Sequence, residues 1–205
     1  MTRNNSRATR LACTAALAIL ISAFTACSGS LFKVKPAADL PPFPATATNR
    51  DTGGVALRVA PLLTDEESQD LFEANLPLSG VLPLRLELNY STGGVPLDLK
   101  RLRFRLHDDA AAGSGREWKM LSPKQAIAQI LKANDVYLYN PNSRKQFEKE
   151  FGAYAIDLKI PLTTSERHRQ GFLFFRPPGN GPVRNPAGLM LSVTGLPQPL
   201  EIRLN

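Results

Sequence analysis

The chain is 205 residues long, 43% hydrophobic and 21% charged, which supplies apolar material for one well-buried domain with appendages. Its 17 prolines are more than a compact helical protein tolerates. The formal net charge is +7, part of it in a leader expected to be removed, and the +4 that remains is mild. A nucleic-acid binder shows a dense basic patch, so no nucleic-acid partner is expected.

Residues 1–10, MTRNNSRATR, are polar and hold Arg3, Arg7 and Arg10. Residues 11–26, LACTAALAILISAFTA, are uncharged and apolar or small. A helix needs about 20 such residues to cross a bilayer core, and this run falls short. A basic head, a short apolar run and small residues before a break form a secretory signal, so residues 1–26 are expected to be cleaved. The alternative is a retained anchor. Removing the three arginines leaves 22 basic against 18 acidic residues, a net of +4.

Phe24-Thr25-Ala26-Cys27 resembles the lipobox of bacterial lipoprotein precursors, in which an aliphatic residue and two small ones precede cysteine. Here Phe24 holds the aliphatic place. The resemblance implies a diacylglyceryl group on the Cys27 sulfur, cleavage before Cys27 by signal peptidase II, and acylation of the new amine. It also implies an outer-membrane address, because Ser28 stands where Asp marks inner-membrane retention in the Gram-negative families. Cysteine suits the role because its thiolate is a strong nucleophile, and two or three acyl chains anchor stably where one is marginal. Cys13 leaves with the signal, so the mature chain has a single capped cysteine and no disulfide. A catalytic Cys27 would lack a neighbouring His in the sequence.

Residues 27–53 contain Pro36, Pro41, Pro42 and Pro44 and sustain no helical or strand period. They are expected to form a lipidated, semi-extended tether that holds the domain some tens of Å from the membrane at roughly 3.1 Å per residue. In the alternative, Leu31 to Pro44 lies along the domain and buries Phe32 and Phe43. The domain itself is assigned to residues 54–205.

From Gly54 onward, alternation at period two dominates. Val55, Leu57 and Val59 share a face, as do Leu82, Leu84, Leu86 and Leu88, with Arg85 and Glu87 opposite. Leu102, Phe104 and Leu106 oppose Arg101, Arg103 and Arg105. Tyr154, Ile156, Leu158 and Ile160 alternate in AYAIDLKIPL. GFLFFR, from Gly171, is apolar on both faces and reads as a central strand, and GLMLSVTG and PLEIRLN supply two more. These are at least seven strands, mostly buried on one side as antiparallel strands are. Three short helices interrupt them. Thr64-Asp65-Glu66-Glu67 and Ser122-Pro123-Lys124-Gln125 are capping boxes, and Ser143 caps a third helix that carries Phe147 and Phe151 and stops at Gly152.

No βαβ repeat occurs, so a parallel nucleotide-binding sheet is not expected. The pattern fits an immunoglobulin-like antiparallel β-sandwich with helical insertions. The succession LPLRLELNYSTGGVPLDL, LRFRLHD and GFLFFRPP, over roughly residues 80–178, resembles the small immunoglobulin-like domains of bacterial surface lipoproteins.

Chemistry-bearing clusters are sparse. His107-Asp108-Asp109 could seat a hard cation but reads more simply as a polar turn, and two histidines fall short of a zinc ligand set, so no metal or cofactor is expected. Ser165 and His168 lie in TTSERHRQG, expected to be a charged loop, without a nucleophile-elbow signature, and no catalytic residue is assigned. Arg101, Arg103 and Arg105, with Lys100 before them, form a stripe able to meet anionic lipid, phosphorylated glycan or an acidic partner. Its simpler reading is a solvated face paired in part with Glu87 and Asp98. The Tyr137-Leu138-Tyr139 and Phe172-Phe174-Phe175 groups read as core rather than a ligand platform. The expectation is therefore a non-enzymatic, outer-membrane-anchored lipoprotein. Its partners are the membrane, through its lipid, and an envelope protein or glycan. The alternatives are an accessory subunit of an envelope assembly or secretion complex, and an envelope hydrolase.

Overall fold

The strand that is apolar on both faces organises the molecule. In the computed structural model, which describes residues 32–91, 95–108, 115–136, 140–184, 186 and 188–205, eight strands form one sheet. They are β1 (Thr48–Thr52), β2 (Val55–Pro61), β3 (Leu82–Tyr90), β4 (Arg103–Asp108), β5 (Glu117–Leu121), β6 (His168–Arg176), β7 (Leu189–Thr194) and β8 (Leu200–Arg203). The order is β1-β2-β3-β6-β5-β4-β7-β8, with every neighbouring pair antiparallel. The Thr48 hydroxyl donates to the Arg203 carbonyl at 3.2 Å, drawing β1 against β8. The sheet is thus a nearly closed, barrel-like ring and not an immunoglobulin-like sandwich.

The correction has an identifiable cause in β5. Its residues Lys119, Met120 and Leu121 pair with Arg176, Phe175 and Phe174 of β6, while Trp118 and Glu117 pair with Leu106 and His107 of β4. Without β5, the strands fall into β1-β2-β3-β6 and β4-β7-β8, which are the two sheets of a sandwich. This short strand sends Trp118 to one core and Leu121 to the other and gives no alternation to read. It joins the two halves into one ring.

AYAIDLKIPL, expected as a strand, is irregular apart from isolated bridges of Ala155 to Phe172 and Leu162 to Leu97. It fills the seam beside β6 beyond the end of the β5 pairing. The Ile156 amide donates to the Phe172 carbonyl at 3.1 Å, and the Phe172 amide to the Tyr154 carbonyl at 2.7 Å. A Cβ on Gly171 would come within 2.6 Å of the Ile156 backbone, so glycine is what lets the two chains touch.

Among the described residues are three α-helices: α1 (Asp65–Phe72), α2 (Pro123–Ala133) and α3 (Pro141–Gly152). Both expected capping boxes are formed, at Thr64/Glu67 and Ser122/Gln125. The cap of α3 is Asn140, followed by Pro141, whereas Ser143 is buried inside the helix. The helix starts earlier than expected because Asn140 accepts from the Asn142 amide at 2.9 Å and Pro141 supplies a preset first turn.

Two cores follow from the alternation. Leu57, Leu84, Leu86, Leu106, Leu173, Phe175, Leu191 and Ile202 fill the ring. The outward Phe172 and Phe174 of β6 meet Phe72, Ile127, Ile130, Phe147 and Phe151 of the helices. Burial on both sides explains why β6 lacks polar alternation.

The Pro-rich segment differs from a free tether. Val34 is buried, the Lys35 amide donates to the Leu71 carbonyl at 3.0 Å, and the Tyr154 hydroxyl donates to the Lys35 carbonyl at 2.7 Å. Phe32 packs at 5.1 Å on Phe147. Arg85 donates to the Pro41 carbonyl at 2.7 Å and lies 4.2 Å from the Phe43 ring. Residues 32–43 are a strap tied along the outside of the ring, and the ordered body begins well before Gly54, with β1 inside the expected tether. Phe32 and Phe43 are half-buried.

Candidate functional site

The arginine stripe survives folding in part. Arg103 and Arg105 project outward from β4, and Arg101 ends the 3₁₀ turn Leu99–Arg101 just before it; all three are exposed. That turn is locked from below, since a Cβ on Gly195 (φ +89) would clash with the Arg101 carbonyl oxygen. Register continues the stripe across the wall. Arg103 faces Thr194, Arg105 faces Ser192, and beyond β7 Met190 faces Arg203 and Ser192 faces Glu201. With exposed Lys119 on β5, this helix-free wall presents Arg103, Arg105, Lys119 and Arg203 against Glu117 and Glu201.

The stripe's partners differ from those expected. Glu87 lies on β3 and contacts His168, and the Asp98 carboxylate accepts from the Lys100 amide at 3.0 Å as a turn cap. Arg105 instead lies 3.9 Å from Glu117, with both side chains well exposed, a contact worth little. Arg103 donates to the Lys100 and Leu102 carbonyls at 2.6 and 3.0 Å. Its guanidinium is held in place while its charge remains unopposed by a carboxylate in that contact.

A second polar surface was not legible in the sequence. Outward residues of β1, β2, β3 and β6 fall into rows: Asn49–Arg58–Glu87–Gln170 and Asp51–Ala56–Asn89–His168. The small Ala56 leaves a floor between larger neighbours, and an open depression of about 460 Å³ results, lined by Asn49, Asp51, Arg58, Glu87 and Asn89. His168 Nε2 is 3.0 Å from Glu87 Oε1, and the Arg58 guanidinium lies 4.8 Å from the Phe43 ring. Amides, carboxylates and a guanidinium side by side can hydrogen-bond a polyhydroxylated ligand. The alternation at 55–59 signals that Ala56 and Arg58 face outward, but only strand pairing brings them beside Glu87 and Asn89.

Burial pulls the Arg85 guanidinium below its ordinary pKa, and neighbouring Glu87 opposes that. Arg85, expected on a solvated face, lies beneath the strap. Burial, with Asp39 and Asp70 nearby, raises the Tyr154 hydroxyl to about 12.

The remaining sequence candidates separate. His168 opens β6 rather than lying in a loop. Ser165 shares a 2.9 Å hydrogen bond with Thr163 in the preceding turn, so these bonds lead Ser165 and His168 to different partners. The Asp108 carboxylate accepts from the Trp118 indole N–H and lies 3.6 Å from Arg116. Asp109, Tyr137–Tyr139 and Cys27 lie outside the described residues. Among the described residues no group of three or more His, Cys, Asp or Glu could hold a metal ion, and no helix is long and apolar enough to cross a membrane. Phe172, Phe174 and Phe175 are core.

No protein-family model matches the chain, and no curated protein sequence matches it. One solved structure, described as a "putative lipoprotein" from Staphylococcus aureus, is similar at 8% identity with a TM-score of 0.31. The match covers 76% of this chain and 92% of that one, a likeness too slight to show a shared fold.

Proposed function

We propose that this is a lipid-anchored envelope protein, acylated at Cys27 and held at the outer membrane, whose barrel has a non-catalytic binding role. Its docking face is the helix-free wall, and its partner is an anionic envelope component. The observation that carries the binding role is the wall itself, with Arg103, Arg105, Lys119 and Arg203 exposed on rigid strands against two carboxylates. Such an excess attracts anionic partners and weakens as salt rises. The anchor rests on the basic head, the charge-free run and Cys27 in the sequence.

Fractionation of the Cys27→Ser chain tests the anchor. That chain should carry no acyl group and keep residues 1–26 uncleaved, and wild-type processing and fractionation would remove this reading. Replacing Arg103 and Arg105 by Glu should abolish retention on an anionic matrix at low salt while the anchor persists. Unchanged retention would remove the wall from the binding role.

A second reading, an envelope hydrolase, has one observation on its side. His168 and Glu87 are paired at 3.0 Å at the edge of the polar depression, where a proton could be exchanged. Turnover of a glycoside or ester that is lost in Glu87→Gln would favour it.

A further inference from the structure

The strap decides how an anchored barrel would sit. From Cys27 to Phe32 there are only five chain steps, which span at most about 17 Å when fully extended. A free tether running to β1 would instead span about 65 Å at polyproline spacing. The strap removes the difference, because it is fixed at successive points. Phe32 lies on Phe147 of α3, and the Lys33 amide donates to Glu73 just past α1 at 2.8 Å. Val34 is buried, Lys35 is held by Leu71 and Tyr154, and Pro41 by Arg85. The leash therefore leaves the molecule beside α1 and α3, which cover the outside of β6 and its neighbours.

Around the ring, β5 adjoins β6 and β4 lies two strands away, so Lys119, Arg103 and Arg105 stand on the flank, whereas β7 and β8, with Arg203, lie three and four strands from β6 on the far side of an eight-stranded barrel. We infer that in the acylated protein the strap seats the helical face against the lipid surface, turns the β7–β8 end of the arginine wall away from it, and leaves Arg103 and Arg105 on the flank of the barrel. The inference rests on the acylation of Cys27 proposed above.

Two consequences follow from the geometry. The helical face presents both Lys33, Lys145 and Lys149 and the acidic first turn of α1, so the leash rather than charge holds it down, and neutral lipid suffices. The β7–β8 end of the wall sits beyond both the helix layer, about 10 Å thick, and the barrel, where facing sheets are about 10 Å apart. That exceeds a Debye length of about 8 Å at physiological salt. The β7–β8 end, with Arg203, is therefore withdrawn from the headgroups of its own membrane and open to a partner approaching from the aqueous side.

The test uses the full chain, matured in a bacterial host, extracted and placed in vesicles of zwitterionic lipid carrying a headgroup quencher. With Cys27 acylated, a single introduced thiol can be labelled, at Lys145→Cys on α3 or Thr194→Cys on the wall. Quenching at position 145 should exceed that at 194 by at least about threefold, since collisional quenching acts only near contact and the two faces differ by roughly 20 Å. The Val34→Asp change, which places a charge where Val34 is buried, should release the strap and bring the two signals together without lowering the bound fraction. Equal quenching in the otherwise unaltered chain overturns the seating while the anchor stands. So does a Val34→Asp protein that keeps the difference although a parallel sample treated with trypsin shows its strap newly open to cleavage at Lys33. A protein that never joins the vesicles overturns the anchor and the seating with it.

Discussion

Tyr154→Phe isolates the contact that ties the strap to the ring. The hydroxyl donates to the Lys35 carbonyl at 2.7 Å across 119 residues of sequence, and the ring packs at 5.0 Å on Phe72 and 5.7 Å on Phe172. Phenylalanine keeps the ring contacts and removes only the bond, at a cost of about 1–2 kcal/mol at pH 7. Alkali supplies a second signature. The folded hydroxyl titrates near 12, whereas an unfolded tyrosine titrates near 10. Between those values the unfolded chain sheds a proton that the folded one keeps, so stability falls as pH rises. At pH 11 the unfolded group is about ten-elevenths ionised and the folded one about one-eleventh, a loss of about 1.4 kcal/mol confined to the wild type. Urea unfolding at pH 7 and pH 11 should show the variant weaker at the first and within a few tenths of a kcal/mol of wild type at the second. Tryptic cleavage at Lys33 should quicken in the variant at pH 7. A gap that is unchanged by pH, or no loss at pH 7 with no faster cleavage, would refute the account of the strap.

Gly171→Ala should cost about 1–3 kcal/mol, because its Cβ would meet the Ile156 Cα and N at 2.6 Å. At this size that is a fall of about 2–4 °C in melting temperature per kcal/mol, and an unaltered melt would show that the Tyr154–Ile156 segment does not lie on β6. Phe151→Ala removes a ring 4.8 Å from Phe174 and 5.2 Å from Phe72 and should cost about 3–5 kcal/mol. Denaturant unfolding that shifts by less than about 1 kcal/mol would mean that the helices are not packed as described.

Strands that bury one face announced themselves. β2, β3, β4, β7 and β8 alternate because an apolar side chain stands at the inward places, as at Val55, Leu57 and Val59 or from Leu82 to Leu88. β6 was legible for the opposite reason, since both of its faces are dry. β1 gave no signal, because TNRDT offers only Thr52 to the interior. β5 gave little, because Trp118 serves one core and Leu121 the other. The sequence left the strap open between a free tether and a segment lying along the domain, because its contacts are made by carbonyls and by isolated side chains such as Val34 and Phe43, which leave no period. The stripe of Arg103 and Arg105 was readable from one strand. The polar depression was not, since it draws on β1, β2 and β3, and no single segment encodes their register.

The join between β1 and β8 carries a further consequence, for the life of the chain before it is folded. Synthesis runs from the N-terminus, so β1 exists long before the strand it will meet, and a solitary sheet edge invites pairing with a neighbour's chain. A strand made of Thr, Asn, Arg, Asp and Thr is a poor recruit for such pairing, because it offers no apolar face and two charges of opposite sign. The polarity that hid β1 from a reading of the sequence also protects the unfinished barrel from aggregation until β8 arrives to meet it.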